Sequence, residues 1–178
     1  MTWKITTYEL LTRYNAGERN FAGVELIVDQ ERNVEDTPYD IHGLEGADLR
    51  GINLCGANLQ NVILERANLT EANLFGACLA RADLSDAIAI KANLCSANLS
   101  RSGCQRADFT NADLSLVNAV VTSFAGAKFG FIENAVLASA NFKGSNISKD
   151  TLCRYGNLIC ETVMADGSIE SGFYYGHW

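Results

Sequence analysis

A large apolar residue recurs at every fifth position through the middle of this chain. From Leu44 to Phe129, 15 of the 18 positions in the series are Leu or Phe. Ala stands two residues before 12 of these centres, and Asn or Asp mostly stands between the two, as in GADLR, GANLQ and KANLC. A period of five fits neither an α-helix, with 3.6 residues per turn, nor an ordinary strand, with a period of two.

The period does fit a chain that turns a corner after every fifth residue. Alternate residues of an extended segment share one side, so each centre and the Ala before it both point inward. Four corners close a square coil of about twenty residues, and successive coils stack at the ~4.8 Å spacing of parallel strands. With 48% apolar residues and a length suited to one domain, we predict a single all-β solenoid over residues 1–178.

These segments resemble the pentapeptide-repeat family, whose pattern is A-(N/D)-L-x-x, over about residues 19–152. The C-terminal segment resembles that of many cyanobacterial members. The resemblance implies a right-handed quadrilateral β-helix, and the number of repeats gives about six coils stacked at the parallel-strand spacing. The repeated residues build the core, so the resemblance specifies the fold and says little about the function.

The first eighteen residues are predicted to cap this solenoid with a helix, because the end of a coil exposes unpaired backbone. Thr6 and Glu9 have the spacing of a capping box. Ile5 and Leu10 are placed as the hydrophobic staple of the same helix, which is expected over residues 7–16.

The five-residue series is interrupted in two places. An excursion is predicted over residues 29–40, because the series does not keep its phase between Leu26 and Leu44. A bulge or kink is predicted near residues 130–134, where the series restarts at Ile132, three residues after Phe129.

Residues 153–178 are predicted to form a C-terminal cap. Residues 157–164 and 169–175 suggest two strands around an Asp-Gly turn. Four aromatic residues near the end either seal the final coil, which we favour, or form a dimer contact: Phe173, Tyr174, Tyr175 and Trp178. The protein is accordingly expected to be a monomer or a dimer joined through this segment.

Composition excludes several classes of function. The net charge of −7 argues against direct binding of nucleic acid, which needs a basic surface. No apolar run approaches the length of a membrane span, and no export signal precedes the repeat. Six cysteines without C-x-x-C spacing indicate reduced thiols in a cytoplasmic protein, with no metal and no cofactor.

No catalytic constellation accompanies the titratable residues. His42 is assigned to an inward position next to the acidic excursion, and no nucleophile or ligand cluster lies near it in the sequence. Cys104 occupies a core centre, where it is expected to act as a small buried apolar residue. Without a phosphate loop or hydrolase motif, the chain is not predicted to be an enzyme.

Two non-catalytic functions remain. The first is a protein-interaction or regulatory module that presents the rigid four-sided surface of the β-helix to an unidentified protein partner. The second is an acidic DNA mimic that inhibits a type II topoisomerase such as gyrase, as the resemblance to fluoroquinolone-resistance members implies. A mimic needs carboxylates spread along the column at phosphate-like density.

The distribution of charge favours the first function. Residues 25–48 carry a net charge of −7, whereas residues 49–178 carry −1. The column is therefore nearly neutral, and the stack is expected to contain a mixed ladder of Arg66, Asp86 and Arg106. The acidic charge falls in a candidate acidic loop within the excursion: Asp29, Glu31, Glu35, Asp36 and Asp40.

One side of the column is predicted to be the docking surface. Residues twenty apart stack on the same side, and the two positions after Leu54, Leu74, Leu94 and Leu114 contain no charged residue. Phe75 is the expected aromatic anchor. The candidate surface residues are Cys55, Phe75, Cys95 and Leu116, with the two thiols about 10 Å apart and beyond disulfide reach.

Overall fold

A computed structural model describes residues 3–27 and 42–171, which form a column of stacked coils. The helices and strands are short: β1 (Lys4–Thr6), α1 (Thr7–Asn15), β2 (Glu25–Ile27), β3 (Asp108–Asp113), β4 (Lys128–Phe131), α2 (Lys149–Arg154), β5 (Thr162–Val163) and β6 (Ile169–Glu170). The pairs β1–β2 and β3–β4 are parallel, and β5–β6 is antiparallel. Within these two ranges, no helix is long and apolar enough to cross a membrane.

Most of the column is built from single paired residues rather than from long strands. The residue before each centre pairs in parallel with the residue twenty positions later. Four such pairs follow one another around one coil: Asp48 with Asn68, Asn53 with Asn73, Asn58 with Cys78, and Ile63 with Asp83. Each turn of the column therefore has four sides, as the five-residue period predicts.

Each corner is a tight turn, and at many corners the Asn or Asp of the repeat stabilises it. At the corner after Leu74, the Ala77 N–H donates to the Leu74 carbonyl at 3.0 Å, and Gly76 has a φ of +62°. The side-chain oxygen of Asn73 accepts from the Phe75 N–H at 3.2 Å. Asn and Asp suit this position because their short side chains bond to the backbone two residues ahead.

The interior is filled by the repeated apolar residues. The centres from Leu44 to Leu84 and the Ala residues before them from Ala57 onward are at most 2% exposed. From residue 104 onward, four buried Phe side chains take over the interior: Phe109, Phe124, Phe129 and Phe142. The rings of Phe124 and Phe142 lie 5.1 Å apart. The small centres Cys104 and Ala119 lie among them and offset the larger ring volume.

The pairing distance changes at three places along the chain. Asn20 pairs with Asn53, thirty-three residues later, so thirteen residues are added before the regular coils begin. The predicted excursion over residues 29–40 lies outside the described residues. Asn118 then pairs with Val136, eighteen residues later, and Val136 pairs with Leu158, twenty-two residues later.

The first change in the C-terminal part coincides with the irregularity predicted near residues 130–134. Asp108 pairs with Lys128, but Asp113 pairs with Phe131, so two residues are lost between β3 and β4. The second change adds two residues where α2 lies. This helix, which the sequence did not indicate, begins after Ser148, whose side chain accepts from the Thr151 N–H.

The N-terminal helix forms as predicted and ends at Asn15. The Thr6 hydroxyl accepts from the Glu9 N–H at 3.2 Å, and Ile5 and Leu10 are buried. The Tyr14 hydroxyl donates to the Arg50 carbonyl at 2.8 Å, which holds the helix against the first regular coil. Strand β1 also pairs with β2, so this end adds a level to the column as well as a helix.

The C-terminal end continues the column before it turns back. Within residues 19–152 the longest series of pairs has six levels, from Glu25 to Val136. Leu158 and Val163 extend the pairing past residue 152, and β6 then folds back on β5. The aromatic residues 173–175 and 178 lie outside the described part of the chain.

Candidate interaction surface

The predicted docking surface is one side of the column, which we call the Leu74 face. It comprises the outward residues around the buried centres Leu54, Leu74, Leu94 and Leu114. Backbone hydrogen bonds stack its corners: Gly56 N–H to the Phe75 carbonyl at 2.8 Å, Gly76 N–H to the Cys95 carbonyl at 3.0 Å, and Ser96 N–H to the Ser115 carbonyl at 2.9 Å. Cys55, Phe75, Cys95 and Ser115 therefore form one row along the column.

A row of amides runs beside these corners. The Asn73 side chain donates to the side-chain oxygen of Asn53 at 3.1 Å, and Asn53 donates to that of Asn20 at 2.9 Å. The oxygens of Asn53, Asn73 and Asn93 also accept from the backbone N–H two residues ahead. The row holds the corner residues in place without adding charge.

The four predicted surface residues differ in exposure. Phe75 is 45% exposed and Leu116 is 58% exposed. Cys55 and Cys95 are half-buried free thiols. Leu116 adopts a φ of +58° at the corner, which turns its side chain outward at a position where glycine is favoured. Their role in binding a partner stays a prediction.

The Leu74 face continues beyond these residues. Leu116 N–H donates to the Glu133 carbonyl at 3.1 Å, and Asn134 N–H donates to the Tyr155 carbonyl at 2.7 Å, so Glu133 and Tyr155 extend the row of corners. Phe131 extends the neighbouring row, because it pairs with Asp113. Its ring lies 4.7 Å from that of Tyr155, edge to face.

Repetition by twenty residues could not reveal this extension. The steps from Ser115 to Glu133 and from Glu133 to Tyr155 are eighteen and twenty-two residues. The restart of the series at Ile132 signals the first step. No sequence signal indicates the second, which depends on α2.

The extended face is not free of charge. Asp113 lies on it in the row of amides, and Glu133 lies near Ser115, whose hydroxyl is 3.4 Å from the Glu133 carboxylate. The two positions after each centre are uncharged as far as Leu116. Asp113 belongs to the row of residues that precede the centres. Glu133 belongs to the level that follows Ser115 toward the C-terminus.

The other sides carry acidic and basic residues in pairs. Arg106 donates two hydrogen bonds to Asp86, and this contact lowers the pKa of that carboxyl group. The predicted mixed ladder is present, because the Arg66 N–H bonds to the Ser85 carbonyl and the Asp86 N–H to the Gln105 carbonyl. The Arg66 guanidinium itself contacts its neighbour Glu65 at 2.8 Å. Three more contacts join acidic and basic residues: Asp48 with Arg50, Glu71 with Lys91, and Asp108 with Lys128.

The candidate chemical groups are placed as follows. Cys104 is fully buried, and burial raises the pKa of its thiol to about 12, so it is not a thiolate nucleophile. The inward assignment of His42 is wrong: its side chain is 43% exposed and contacts Glu45 at 2.7 Å. The regular coil begins only at Leu44, where the packed series of centres starts. Among residues 3–27 and 42–171, no three His, Cys, Asp or Glu side chains are grouped to hold a metal ion.

Several solved structures are similar to this chain. The pentapeptide-repeat protein Rfr23 from the cyanobacterium Cyanothece 51142 is 20% identical, with a TM-score of 0.48 and coverage of 88% of this chain and 99% of that one. A pentapeptide-repeat protein of the Arabidopsis thaliana thylakoid lumen is 27% identical, with a TM-score of 0.35 and coverage of 71% and 86%. Full-length QnrB1, a plasmid-mediated fluoroquinolone resistance protein, is 17% identical, with a TM-score of 0.38 and coverage of 79% and 75%. No curated protein matches the sequence.

The sequence profile described as "Pentapeptide repeats" matches residues 44–76 and 77–115, with eight copies of the repeat. These are the residues that form the regular coils, with their centres and Ala residues inside and Asn or Asp at the corners. Such proteins fold as right-handed quadrilateral β-helices and are generally non-catalytic structural or interaction modules. Residues 44–115 of the chain match the pentapeptide-repeat family.

Proposed function

We propose that this protein is a non-catalytic interaction module that binds a protein partner through the Leu74 face. The observation that carries this proposal is the grouping of exposed apolar side chains on that face. Of the eight large apolar side chains that are exposed in the described residues, four belong to it: Phe75, Leu116, Phe131 and Tyr155. Single exposed apolar residues are ordinary, whereas several on one side of the column, two of which are in contact, suggest an interaction site.

The construction of the column supports an external site. Leu, Ala and Phe side chains fill the interior at close to zero exposure. The polar groups of the repeat are used to form the corners. The side chains that differ in chemistry from one repeat to the next therefore lie at the outward positions of the four sides, where a partner protein can contact them.

A pair of substitutions tests the proposal. Phe75→Glu with Leu116→Glu places two charges at the exposed positions and should leave the fold intact, because both side chains point outward. Affinity purification from the native cell, quantified by mass spectrometry, should recover a partner with the wild type and lose it with this variant. The matched control is Val121→Glu, an exposed apolar residue with a φ of +60° at the corresponding corner of the next side.

Each outcome of this experiment is informative. A partner that is lost with the double variant and retained with Val121→Glu supports the Leu74 face as the site. Equal recovery with all three proteins would overturn the proposal. Circular dichroism and thermal unfolding of the purified variants show whether a loss reflects binding or unfolding.

The resemblance to a fluoroquinolone resistance protein keeps topoisomerase inhibition as a second candidate. The specific observation in its favour is the acidic charge of residues 25–48. Against it, residues 44–129 contain eight acidic residues, and five of them contact Arg or Lys. Paired carboxylates do not present the field of a phosphate backbone. We expect no inhibition of gyrase supercoiling by micromolar protein. Inhibition would favour the topoisomerase inhibitor over the interaction module as the function of this protein.

We also propose that the protein functions in the cytoplasm. All six cysteines are free thiols, and reduced thiols are typical of that compartment. Titration of thiols in protein purified anaerobically from the native cell should give six per unfolded chain. A lower number would indicate oxidation and contradict the assignment.

A further inference from the structure

The part of the Leu74 face from Phe75 to Tyr155 combines apolar groups with carboxylates. Phe75, Leu116, Phe131 and Tyr155 are 40–58% exposed. Asp113 and Glu133 lie on adjacent levels between the first and last of these residues. On this surface two negative charges therefore lie at levels between exposed apolar side chains.

These two carboxylates differ from most others on the column. One Asp113 oxygen accepts from the Ser115 N–H at 2.9 Å, and a Glu133 oxygen lies 3.4 Å from the Ser115 hydroxyl. Within the described residues neither makes a salt bridge, whereas Asp86, Glu71 and Asp108 on other sides each contact Arg or Lys. The complementary group for such a carboxylate is a Lys or Arg.

Arg154 directly precedes Tyr155 in the sequence. It contacts Asp150 at 3.4 Å, four residues earlier on α2. Within the described residues no Lys or Arg forms an ion pair with Asp113 or Glu133, so both carboxylates are open to a cation from a partner. A partner that also covers Phe131 and Tyr155 would bring that cation into a partly desolvated setting, where charge complementarity selects the partner.

The backbone of the face limits the shape of the partner. The extended segments pair with the levels above and below, as in Asn73 with Asn53 and Asn93, so this side offers no free edge for an added strand. From Phe75 to Tyr155 the row spans four levels, or about 19 Å. A helix with a rise of about 1.5 Å per residue covers that length with about thirteen residues.

Building on the proposed function of this face, we infer that its partner is a basic amphipathic helix lying along the column. The apolar stripe of the helix packs on Phe75, Leu116, Phe131 and Tyr155. One or two Lys or Arg residues near its middle pair with Asp113 and Glu133. The interaction requires both features, so an apolar helix with acidic flanks is rejected by like-charge repulsion.

Selection from random sixteen-residue peptides displayed on phage tests this inference. The full-length protein is the target, and its Phe75→Glu/Tyr155→Glu variant is the counter-target. We expect enriched peptides with a net positive charge and apolar residues at helical spacing. The most enriched peptide is then synthesised, and its affinity is measured by fluorescence anisotropy at two salt concentrations.

The charge of the site is tested with two matched double variants. Asp113→Asn/Glu133→Gln should weaken binding of the peptide about fivefold, and less at high salt. Asp83→Asn/Glu161→Gln removes the same charge from carboxylates outside the face and should leave the affinity unchanged. An equal loss in both variants would mean general attraction to an acidic protein and would overturn the inference.

Other outcomes separate this inference from the function on which it rests. Peptides that bind the face but carry neutral or acidic sequences would overturn the basic helix and leave the docking face standing. Failure to enrich any peptide that discriminates the wild type from the counter-target would overturn both. Self-association abolished by Tyr155→Glu would assign the face to a second copy of the chain and also overturn the inference.

Discussion

The regular coils of residues 44–129 and the irregular coils of residues 130–164 satisfy their backbone hydrogen-bonding groups in different ways. In the regular coils every pairing distance is twenty residues, and the backbone of each level satisfies the next. In the irregular coils the distances are eighteen and twenty-two residues. There the backbone groups that lose their partners are satisfied by side chains.

Asn shows the difference between the two regions. Asn73 lies on the outside of a regular coil, where it bonds to Asn53 and to the Phe75 N–H. Asn157 is fully buried under the irregular coils. Its oxygen accepts from the Ala135 N–H, and its amide donates to the Ile132 and Leu152 carbonyls.

Asn146 performs a similar task at the junction. Its side-chain oxygen accepts from the Phe129 N–H at 2.7 Å, and its amide donates to the Phe129 carbonyl at 3.0 Å. A side chain thus replaces the backbone pairing that a twenty-residue step would supply. A repeat of fixed length needs only backbone pairing, whereas a change of length must be supported by specific polar residues.

The largest expected effect comes from removing the buried amide. Asn157→Leu keeps the volume but leaves three buried backbone groups without partners, and each costs about 1–3 kcal/mol. We expect the free energy of unfolding to fall by roughly 3–5 kcal/mol, measured by urea denaturation. The control Asn73→Leu should cost about 1 kcal/mol, because water reaches the groups it exposes. Equal losses would show that the two regions are stabilised alike.

The next prediction concerns local opening of the two regions. Cys104 is fully buried among the regular coils, and its thiol pKa is raised to about 12, so it should react only when the whole column unfolds. Cys153 lies on α2 and is half-buried. With the other four cysteines replaced by Ala, Cys153 should react with a disulfide reagent at least about a hundredfold faster than Cys104. Similar rates would mean that both regions open together.

A smaller effect is expected at the glycines of the two regions. A Cβ on Gly130 would lie 2.9 Å from the Asn111 backbone nitrogen, so Gly130→Ala must shift backbone and should cost about 2 kcal/mol. A Cβ on Gly76 would have no neighbour within 4 Å, and its φ of +62° sets the cost of Gly76→Ala at about 1 kcal/mol. Thermal unfolding of the two variants compares them, and a reversed order would contradict the tight packing between β3 and β4.

The sequence predicts the regular region well because one rule governs it. The five-residue period identifies the buried centres, the Ala positions and the stacking of sides, and the restart at Ile132 locates the first irregularity. The capping helix is local, so its residues suffice to predict it. Each of these features depends on neighbours in sequence or on a constant step.

The irregular region could not be predicted in the same way. Asn146 and Asn157 bond to backbone groups that have lost their backbone partners, and this loss is not apparent from the sequence. Helix α2 changes the pairing distance, and no break in the sequence pattern marks it. The position of Tyr155 on the Leu74 face therefore could not be predicted. The contact of Arg66 with Glu65 was not predicted for another reason. A long side chain can reach a partner on its own level or on the next one.

The smallest effect is expected at Ser145, the one polar side chain of the described residues whose buried oxygen has no hydrogen-bond partner. Ser102, which also stands two residues before a buried centre, donates its hydroxyl to the Leu99 carbonyl at 2.7 Å. A buried hydroxyl without a partner costs free energy, whereas a satisfied one contributes about 1 kcal/mol. Ser145→Ala should therefore leave stability unchanged or raise it by up to about 1 kcal/mol, while Ser102→Ala should lower it by a similar amount. Urea denaturation of both variants measures the contrast. A loss of stability in Ser145→Ala would mean that this hydroxyl is satisfied after all, and that the irregular coils are as fully bonded as the regular ones.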